Sequence, residues 1–156
     1  MLEIAITSRR VLRLEYLLLD VNGTLALDGQ PIPGVRERLD RLSETLGIWL
    51  VSADTQGTLA ALAASLKVKT RLLQPGDEAA QKAALVDELG AERVAAFGNG
   101  ANDAAMLQRA ALGIAVLGGE GLAAACVTAA DVIAPDIKAA LDLLLYPRRL
   151  VATLRA

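Results

Sequence analysis

The stretch Tyr16-Leu17-Leu18-Leu19-Asp20-Val21-Asn22-Gly23-Thr24 joins an uninterrupted apolar run to a carboxylate and a short polar turn. Apolar runs of this length are typical of parallel strands that are buried on both faces. Ligands of α/β folds bind beyond the carboxyl ends of such strands. The stretch therefore predicts a buried strand that presents Asp20 at a ligand-binding edge, as a nucleophile or a metal ligand. A strand-terminal Asp can also cap a turn or helix, and that alternative stays open at this point.

Apolar strand-like segments and amphipathic helix-like segments alternate along the chain after Tyr16. The predicted strands are Tyr16–Asp20 and residues 48–51, 68–73, 93–97, 112–117 and 131–134. The predicted helices are residues 34–46, an Ala/Leu segment capped by Asp54 or Thr55, residues 77–89, 101–110, 122–128 and 135–145, and a short helix from Pro147. This alternation with short connections predicts a three-layer, Rossmann-like α/β fold, in which a mostly parallel sheet has helices on both faces.

The chain before the first of these strands has a different pattern. Residues 2–6 and 11–16 alternate apolar and polar side chains around a polar turn, which predicts an N-terminal β-hairpin. A length of 156 residues is typical of one domain, and no linker or repeat interrupts the pattern. We therefore predict a single domain over 1–156, with 1–16 as the hairpin extension, 16–145 as the core and 146–156 as a C-terminal helix.

The composition narrows the classes of function. The chain contains no His, so Ser-His-Asp triads and His-ligated zinc are excluded. A net charge of −2 and 3% aromatic residues argue against a nucleic-acid partner. The longest uncharged stretch, residues 55–66, is too short to span a bilayer, and the single Cys126 cannot form an internal disulfide. We expect no membrane partner and a cytoplasmic location.

Polar or glycine-rich signals follow three of the predicted strands. They begin at Asp20, at Ser52 and at Gly98, and the last reads Gly-Asn-Gly-Ala-Asn-Asp over residues 98–103. Parallel strands bring their carboxyl ends to one edge of a sheet, so these segments are expected to converge. Glycines allow backbone N–H groups to approach an anion closely. The pattern predicts a phosphate and metal site at this edge.

Four motifs in order make the chain resemble the haloacid dehalogenase superfamily and, within it, the phosphorylation domain of P-type ATPases. Residues 20–24 read Asp-Val-Asn-Gly-Thr, Ser52 ends a strand, Lys82 lies within a helix, and residues 98–103 form the fourth motif. Each motif alone is weak, whereas four in sequence with the expected context are a specific signal. The resemblance covers nearly the whole stretch from Tyr16 to Pro135.

The resemblance implies an aspartyl-phosphate route and a role for each motif residue. Asp20 would be the nucleophile, and Asn22 and Lys82 would complete the catalytic group. The implied phosphate-binding residues are Gly23, Thr24, Ser52, Ala53, Lys82 and Asn102. The implied cofactor is Mg²⁺, with Asp20, Asn22 through its backbone carbonyl, Asn99 and Asp103 at or near the metal.

Two residues depart from the usual pattern of the family. Asn22 stands where phosphatases carry an acid/base Asp, and an amide does not transfer protons in the useful range. Asn99 stands where an Asp usually binds Mg²⁺, which predicts weaker metal affinity. We expect a slow Mg²⁺-dependent phosphohydrolase or phosphotransferase. The alternative is a non-catalytic phosphate-binding or regulatory module with the same fold.

The spacing of the motifs leaves no room for a cap domain between Asp20 and Lys82. An uncovered site is expected to accept a small phosphorylated molecule or a phosphoprotein, or to be covered by another subunit in a homo-oligomer, a tetramer or dimer. Several other residues receive structural interpretations. Asp77 and Asp136 are predicted helix caps, residues 118–121 an ordinary turn that could line the pocket edge, and Trp49, Phe97 and Cys126 core residues.

Overall fold

A six-stranded parallel sheet forms the centre of the molecule. The computed structural model describes residues 1–8, 10–53 and 57–155. The sheet has the order β10-β9-β8-β3-β6-β7. Its strands are β3 (Tyr16–Asp20), β6 (Gly47–Ser52), β7 (Lys69–Leu72), β8 (Val94–Gly98), β9 (Leu112–Val116) and β10 (Val132–Ala134). The predicted strands are confirmed, with ends that differ by at most one residue.

Strand β3 lies in the middle of the sheet and packs against both layers. Successive side chains of a strand point to opposite faces. Leu17 and Leu19 join the larger hydrophobic core on one face, and Leu18 joins the smaller core on the other. Burial on both faces explains why this strand is apolar throughout, and it leaves Asp20 as the charged group at the strand's end.

Helices cover both faces of the sheet, as the three-layer prediction required. The helices are α1 (Val35–Ser43), α2 (Leu59–Leu66), α3 (Glu78–Leu89), α4 (Ala104–Arg109), α5 (Ala124–Ala129), α6 (Ile137–Leu145) and α7 (Pro147–Leu154). Helices α1, α2, α6 and α7 contribute to the larger core, and α3, α4 and α5 contribute to the smaller one. Helix α3 thus lies over the face that includes Leu18, from which it delivers Lys82 to the sheet edge.

Two short hairpins lie outside the main sheet. The predicted N-terminal hairpin is confirmed as antiparallel strands β1 (Leu2–Ala5) and β2 (Val11–Leu14). A second hairpin, β4 (Ala26–Leu27) and β5 (Gln30–Pro31), follows the first motif and was not predicted. Its turn, Asp28-Gly29, has positive φ at both residues, and an Asp-Gly pair is a recognised signal for such a turn.

The helix ends agree with several sequence predictions. Asp77 and Asp136 are confirmed as N-caps, because their side chains accept hydrogen bonds from the backbone N–H of Ala80 (3.0 Å) and Ala139 (2.9 Å). The predicted caps Asp54 and Thr55 lie outside the described residues, and α2 has Thr58 at its N-cap position. The segment predicted as one helix over 101–110 begins with a 3₁₀ turn, Ala101–Asp103, before α4.

The segments between Asp20 and Lys82 contain only secondary structure of the main fold and the β4–β5 hairpin, within the part of the chain that the structure describes. They include no separate cap module, in agreement with the expected spacing. Among the described residues no helix is both long enough and apolar enough to cross a membrane.

Candidate active site

The three polar strand ends meet at one edge of the sheet, as the sequence predicted. Asp20 ends β3, Ser52 ends β6 and Asn99 follows β8, and these strands are neighbours in the order β8-β3-β6. A pocket of about 210 Å³ opens there. Seven of the predicted site residues line it: Asp20, Asn22, Ser52, Ala53, Lys82, Asn99 and Asn102. Two glutamates that were not predicted, Glu78 and Glu120, line it as well.

A buried ion cluster forms the floor of this pocket. The Lys82 ammonium donates to Asp20 Oδ1 at 2.7 Å and to Asp103 Oδ1 at 2.6 Å. Asp103 is completely buried, Lys82 is 1% exposed and Asp20 is 8% exposed, and of the three only Asp20 and Lys82 line the pocket. With both carboxylates ionised the cluster has one negative charge in excess. A buried charge needs such pairing, because desolvation without a partner is costly.

The pKa values of the cluster follow from burial and charge. Burial and the charge of Asp103 raise the pKa of Asp20, Lys82 and Thr24 only partly oppose this increase, and the net pKa is about 6. Burial also lowers the pKa of Lys82, but the charges of Asp20 and Asp103 and their hydrogen bonds outweigh it and raise the pKa above its ordinary value. Lys82 therefore stays protonated at neutral pH and can neutralise an anion at Asp20.

Asp103 ties the fourth motif to the cluster. Its second carboxylate oxygen accepts hydrogen bonds from the backbone N–H groups of Asn99 (3.0 Å) and Gly100 (2.9 Å). A Cβ atom at Gly98 would lie 2.5 Å from this carboxylate, so the close approach requires glycine. Asp103 does not line the pocket, and both of its oxygens already accept hydrogen bonds. It positions Lys82 and Asn99, and its place at or near the metal stays a prediction.

Thr24 joins the first motif to the fourth. Its buried hydroxyl lies 3.2 Å from Asp20 Oδ2 and 3.0 Å from Asn99 Oδ1. A hydroxyl has one proton, so it can donate fully to only one of these two acceptors. An acceptor oxygen in a buried setting thus lacks a full donor, which is costly unless a cation or water satisfies it.

The oxygens around Thr24 suit a hard divalent cation. Asp20 offers a carboxylate and Asn99 an amide oxygen, and Asn22, whose backbone carbonyl is the predicted third donor, lines the same pocket. Oxygen donors of this kind are preferred by Mg²⁺ and Ca²⁺ rather than by soft metals. Within the described residues there is no group of three or more His, Cys, Asp or Glu side chains that could bind a metal. The donor set fits Mg²⁺ with fewer charged ligands than a fully acidic site.

The predicted phosphate-binding residues differ in how they are engaged. Ser52 is buried at the end of β6, and Ala53 follows it at the pocket wall. The Asn102 amide donates to Glu78 Oε2 at 2.7 Å. The Gly23 N–H donates to the carbonyl of Ala26 at 2.8 Å within the turn. Because this N–H is already used, the role of Gly23 in phosphate binding stays a prediction that depends on the resemblance.

Sequence reasoning assigned no functional role to either glutamate of the pocket, although it noted that the turn with Glu120 could line the pocket edge. Glu78 begins α3 four residues before Lys82, and side chains at that spacing share a helix face, so the signal was present. Glu120 lies in the turn over residues 118–121, which follows β9 and closes with a bridge between Gly118 and Gly121. The turn itself was predicted. The rule that ligands bind beyond carboxyl ends of strands also applies to β9, and would have indicated Glu120.

The remaining structural interpretations are confirmed or refined. Cys126 is buried, its thiol donates to the carbonyl of Gly100, and burial raises its pKa to about 11. It is therefore a thiol rather than a reactive thiolate at neutral pH. Phe97 is fully buried. Trp49 is only half-buried, because it lies at the margin of the smaller core, where the Lys69 ammonium is 5.2 Å from its ring.

Comparisons with known proteins agree with this geometry. A family model described as haloacid dehalogenase-like hydrolase matches residues 5–111. An uncharacterized protein of Methanocaldococcus jannaschii is 42% identical over 84 residues, which are 51% of this chain and 90% of that protein.

Solved structures share the fold at low sequence identity. A hydrolase of subfamily III A of the same superfamily, from Legionella pneumophila, has a TM-score of 0.67 and 15% identity, over 90% of this chain and 87% of that one. A 3-deoxy-D-manno-octulosonate 8-phosphate phosphatase from Moraxella catarrhalis, solved with magnesium, phosphate and its sugar, has a TM-score of 0.67 and 19% identity, over 91% and 94% of the two chains. At this level of identity the similarity establishes the three-layer fold.

Proposed function

Because the chain belongs to the haloacid dehalogenase-like hydrolase family, we propose that it is a Mg²⁺-dependent phosphohydrolase or phosphotransferase that forms an aspartyl phosphate on Asp20. One observation carries the proposal. The Asp20 carboxylate stands in the pocket at the end of β3, where Lys82 donates to its Oδ1 and the Thr24 hydroxyl lies 3.2 Å from its Oδ2. A fixed carboxylate beside a buried cation is the arrangement that attack on a phosphate ester requires.

The proposed reaction has two steps. In the first, an Asp20 oxygen attacks phosphorus, the bond from phosphorus to the ester oxygen breaks, and the leaving alkoxide takes a proton from water. In the second, water attacks the aspartyl phosphate, phosphate leaves, and the Asp20 carboxylate is restored. Lys82 lowers the repulsion between the carboxylate and the anionic substrate, while Ser52, Ala53 and Asn102 are the proposed contacts of the phosphoryl oxygens.

Mg²⁺ would be bound by Asp20, the backbone carbonyl of Asn22 and the side chain of Asn99, with Asp103 supporting the Asn99 loop. When bound, it would reduce the negative charge that develops between Asp20 and the phosphoryl group. Since Asn99 is neutral, we propose that the affinity for Mg²⁺ is lower than in sites with an additional acid.

The amide side chain of Asn22 is an argument for slow turnover. Its side chain is exposed at the pocket, where a group that donates a proton to the leaving oxygen would stand, but an amide cannot make that transfer. General acid–base catalysis is typically worth about 10²–10⁴ in rate. The resemblance of the motifs to P-type ATPases agrees with a longer-lived phosphoenzyme, since those proteins also lack a carboxylate at this position.

The two amides also support a second candidate function, a non-catalytic phosphate-binding or regulatory module. Asn22 removes the proton-transfer group and Asn99 removes a charge from the proposed metal site, while the buried cluster that stabilises the fold remains. In this alternative, the pocket binds a phosphoryl group that it does not hydrolyse.

The size of the pocket bears on the substrate. Pockets that bury a whole drug-sized ligand are about 300–1,000 Å³, whereas this one is about 210 Å³. This volume suits a phosphoryl group and the atoms next to it, and the rest of a larger substrate would lie outside. A small phosphorylated molecule or a phosphoprotein fits this geometry. We also propose a cytoplasmic protein that forms a homo-oligomer, a dimer or tetramer, in which another subunit covers the open site.

The test compares wild type with Asp20→Asn, Asn22→Asp, Asn99→Asp and the double change Asn22→Asp/Asn99→Asp, using a generic phosphate ester and Mg²⁺. We expect slow turnover in wild type, none in Asp20→Asn, and faster turnover in the Asp variants. Acetyl phosphate should label wild type at a hydroxylamine-sensitive bond, and Asp20→Asn should stay unlabelled. If no variant turns over substrate or becomes labelled while phosphate still binds, the protein is a non-catalytic phosphate-binding or regulatory module and not an enzyme.

A further inference from the structure

Glu120 lies against the first and the fourth motif, each of which has an asparagine, Asn22 or Asn99, where the family usually has an aspartate. The Cα of Gly23 faces both Glu120 and Asn99: a Cβ there would be 2.5 Å from Glu120 Oε2 and 2.7 Å from Asn99 Nδ2. The two side chains are therefore neighbours. Gly23 also has a φ of +78°, so its left-handed conformation and this close approach both require glycine. The turn that bears Glu120 is thus packed onto the first motif.

The Glu120 carboxylate is available for a ligand. Among the described residues no hydrogen bond or ion pair involves its side chain, which is exposed at the pocket wall. By contrast, the other glutamate of the pocket, Glu78, accepts a hydrogen bond from Asn102. The two glutamates line one pocket, but only Glu120 is adjacent to Asn99.

The buried oxygens beside Asn99 point independently to a cation. Asn99 is 7% exposed, and its Oδ1 shares the single proton of Thr24 with Asp20 Oδ2. Two acceptors with one proton between them form a site that attracts positive charge. If residue 99 were an aspartate, its charge and that of Glu120 would repel each other across Gly23. A neutral residue at 99 and an acid at 120 are therefore compatible, and together they keep one negative charge at this side of the pocket.

From this juxtaposition we infer that Glu120 is a cation-binding residue, which supplies to a divalent cation the negative charge that Asn99 lacks. The inference rests on the proposed Mg²⁺ site and names a ligand for it outside the four motifs. A carboxylate oxygen is a donor that Mg²⁺ prefers, and the number of charged ligands sets the affinity of such sites.

The test measures cation binding directly, without turnover. Mn²⁺ serves as the probe, because the loss of its free electron paramagnetic resonance signal reports the bound fraction, and Mg²⁺ competition extends the result to Mg²⁺. Glu120→Gln keeps the shape of the side chain and removes its charge. We expect about 10- to 100-fold weaker binding, as for other residues that support a metal site. Circular dichroism confirms that each variant is folded.

Glu78→Gln is the matched control, since it removes the same charge from the same pocket at a position next to Asn102. It should weaken Mn²⁺ binding by no more than about 3-fold, the effect of a charge that does not contact the cation. Asn99→Asp is the compensating change. In the Glu120→Gln background it should restore binding, because it returns the missing charge to the neighbouring position.

The outcomes separate this inference from the proposed function. If Glu120→Gln binds Mn²⁺ as wild type does, or if both glutamate variants weaken it equally, Glu120 is not a cation-binding residue, even if the enzyme turns over substrate. If Mn²⁺ binding falls only in Glu120→Gln and Asn99→Asp restores it, the inference stands, even if no variant hydrolyses a phosphate ester.

Discussion

The floor and the rim of the pocket differ in how far their side chains are buried and in whether those side chains form hydrogen bonds. On the floor, the buried Lys82 ammonium pairs with the Asp20 and Asp103 carboxylates through hydrogen bonds of 2.7 and 2.6 Å, and the cluster keeps one negative charge in excess. On the rim, Asn22 and Glu120 are exposed, and neither forms a side-chain hydrogen bond among the described residues. The floor therefore contributes to the stability of the fold, whereas the rim can change its chemistry at little cost in stability. The free energy of unfolding is the quantity that distinguishes the two regions.

The largest effect is expected on the floor, from Lys82→Met. The change leaves Asp20 and Asp103 buried without their cation, and breaking a buried pair by removing one partner costs roughly 3–5 kcal/mol. Urea unfolding of the metal-free protein measures the loss. Lys138→Met, at an exposed position of α6, is the control and should change stability by less than about 0.5 kcal/mol. Equal stability of the two variants would show that the floor does not stabilise the fold.

A smaller effect is expected from pH, again on the floor. The folded protein raises the pKa of Asp20 from 3.8 to about 6, so between these values the folded state binds more protons than the unfolded one. The contribution of Asp20 to the free energy of unfolding is therefore largest below pH 4. It falls as the pH rises through about 6, by roughly 3 kcal/mol at most. Urea titrations of wild type and Asp20→Asn measure it. The difference between their pH profiles should show this fall, and a flat difference would contradict the buried, raised carboxyl.

Thr24→Val tests the connection between the two motifs. Valine keeps the shape of threonine but cannot donate to Asp20 or Asn99, which leaves buried acceptors without a partner and costs about 1–3 kcal/mol. Thermal unfolding measures the change. Thr24→Ser retains the hydroxyl and should lose less stability than Thr24→Val. The interpretation fails if serine is the more damaging substitution.

The smallest effect on stability is expected at the rim, from Asn22→Asp. Exposed positions usually tolerate substitution within about 0.5 kcal/mol, and the Asn22 side chain is exposed. Turnover should nevertheless rise by up to about 10²–10⁴, because the new carboxyl group can transfer a proton. Unfolding and rate measurements on the same preparation check both parts. A large loss of stability without a gain in rate would contradict the separation of floor and rim.

Local patterns were sufficient for most of the fold and for the core of the site. The strands of the main sheet and the helices that cover it were predicted because burial imposes a pattern on the sequence. The uninterrupted apolar run before Asp20, for example, indicates a strand that is buried on both faces. The β4–β5 hairpin was missed because each strand has only two residues, too few to show alternation. Asp20, Ser52, Lys82 and Asn99 were placed at the pocket because each lies in a recognisable motif or strand end.

Tertiary contacts explain what the motifs did not reveal. Asp103 was predicted at or near the metal, and that role stays a prediction; the structure adds that Asp103 binds Lys82 and the Asn99 loop and does not line the pocket. The role of Glu120 depends on its packing against Gly23, 97 positions away in the chain. Side chains this distant in sequence become neighbours only when β3 and β9 bring their carboxyl ends to one edge of the sheet.

The sequence by itself determined the layered fold, the order of its elements and the residues that carry the proposed chemistry. Periodicity and short motifs are local, so they can be seen without coordinates. The tertiary structure decided which charges are paired, which acceptor oxygens share a single hydrogen-bond donor and which acid lies beside Asn99. These properties depend on atoms that are close in space but distant in the sequence. Burial gives them a large energetic effect, because a polar group removed from water must find its hydrogen-bond partner within the fold.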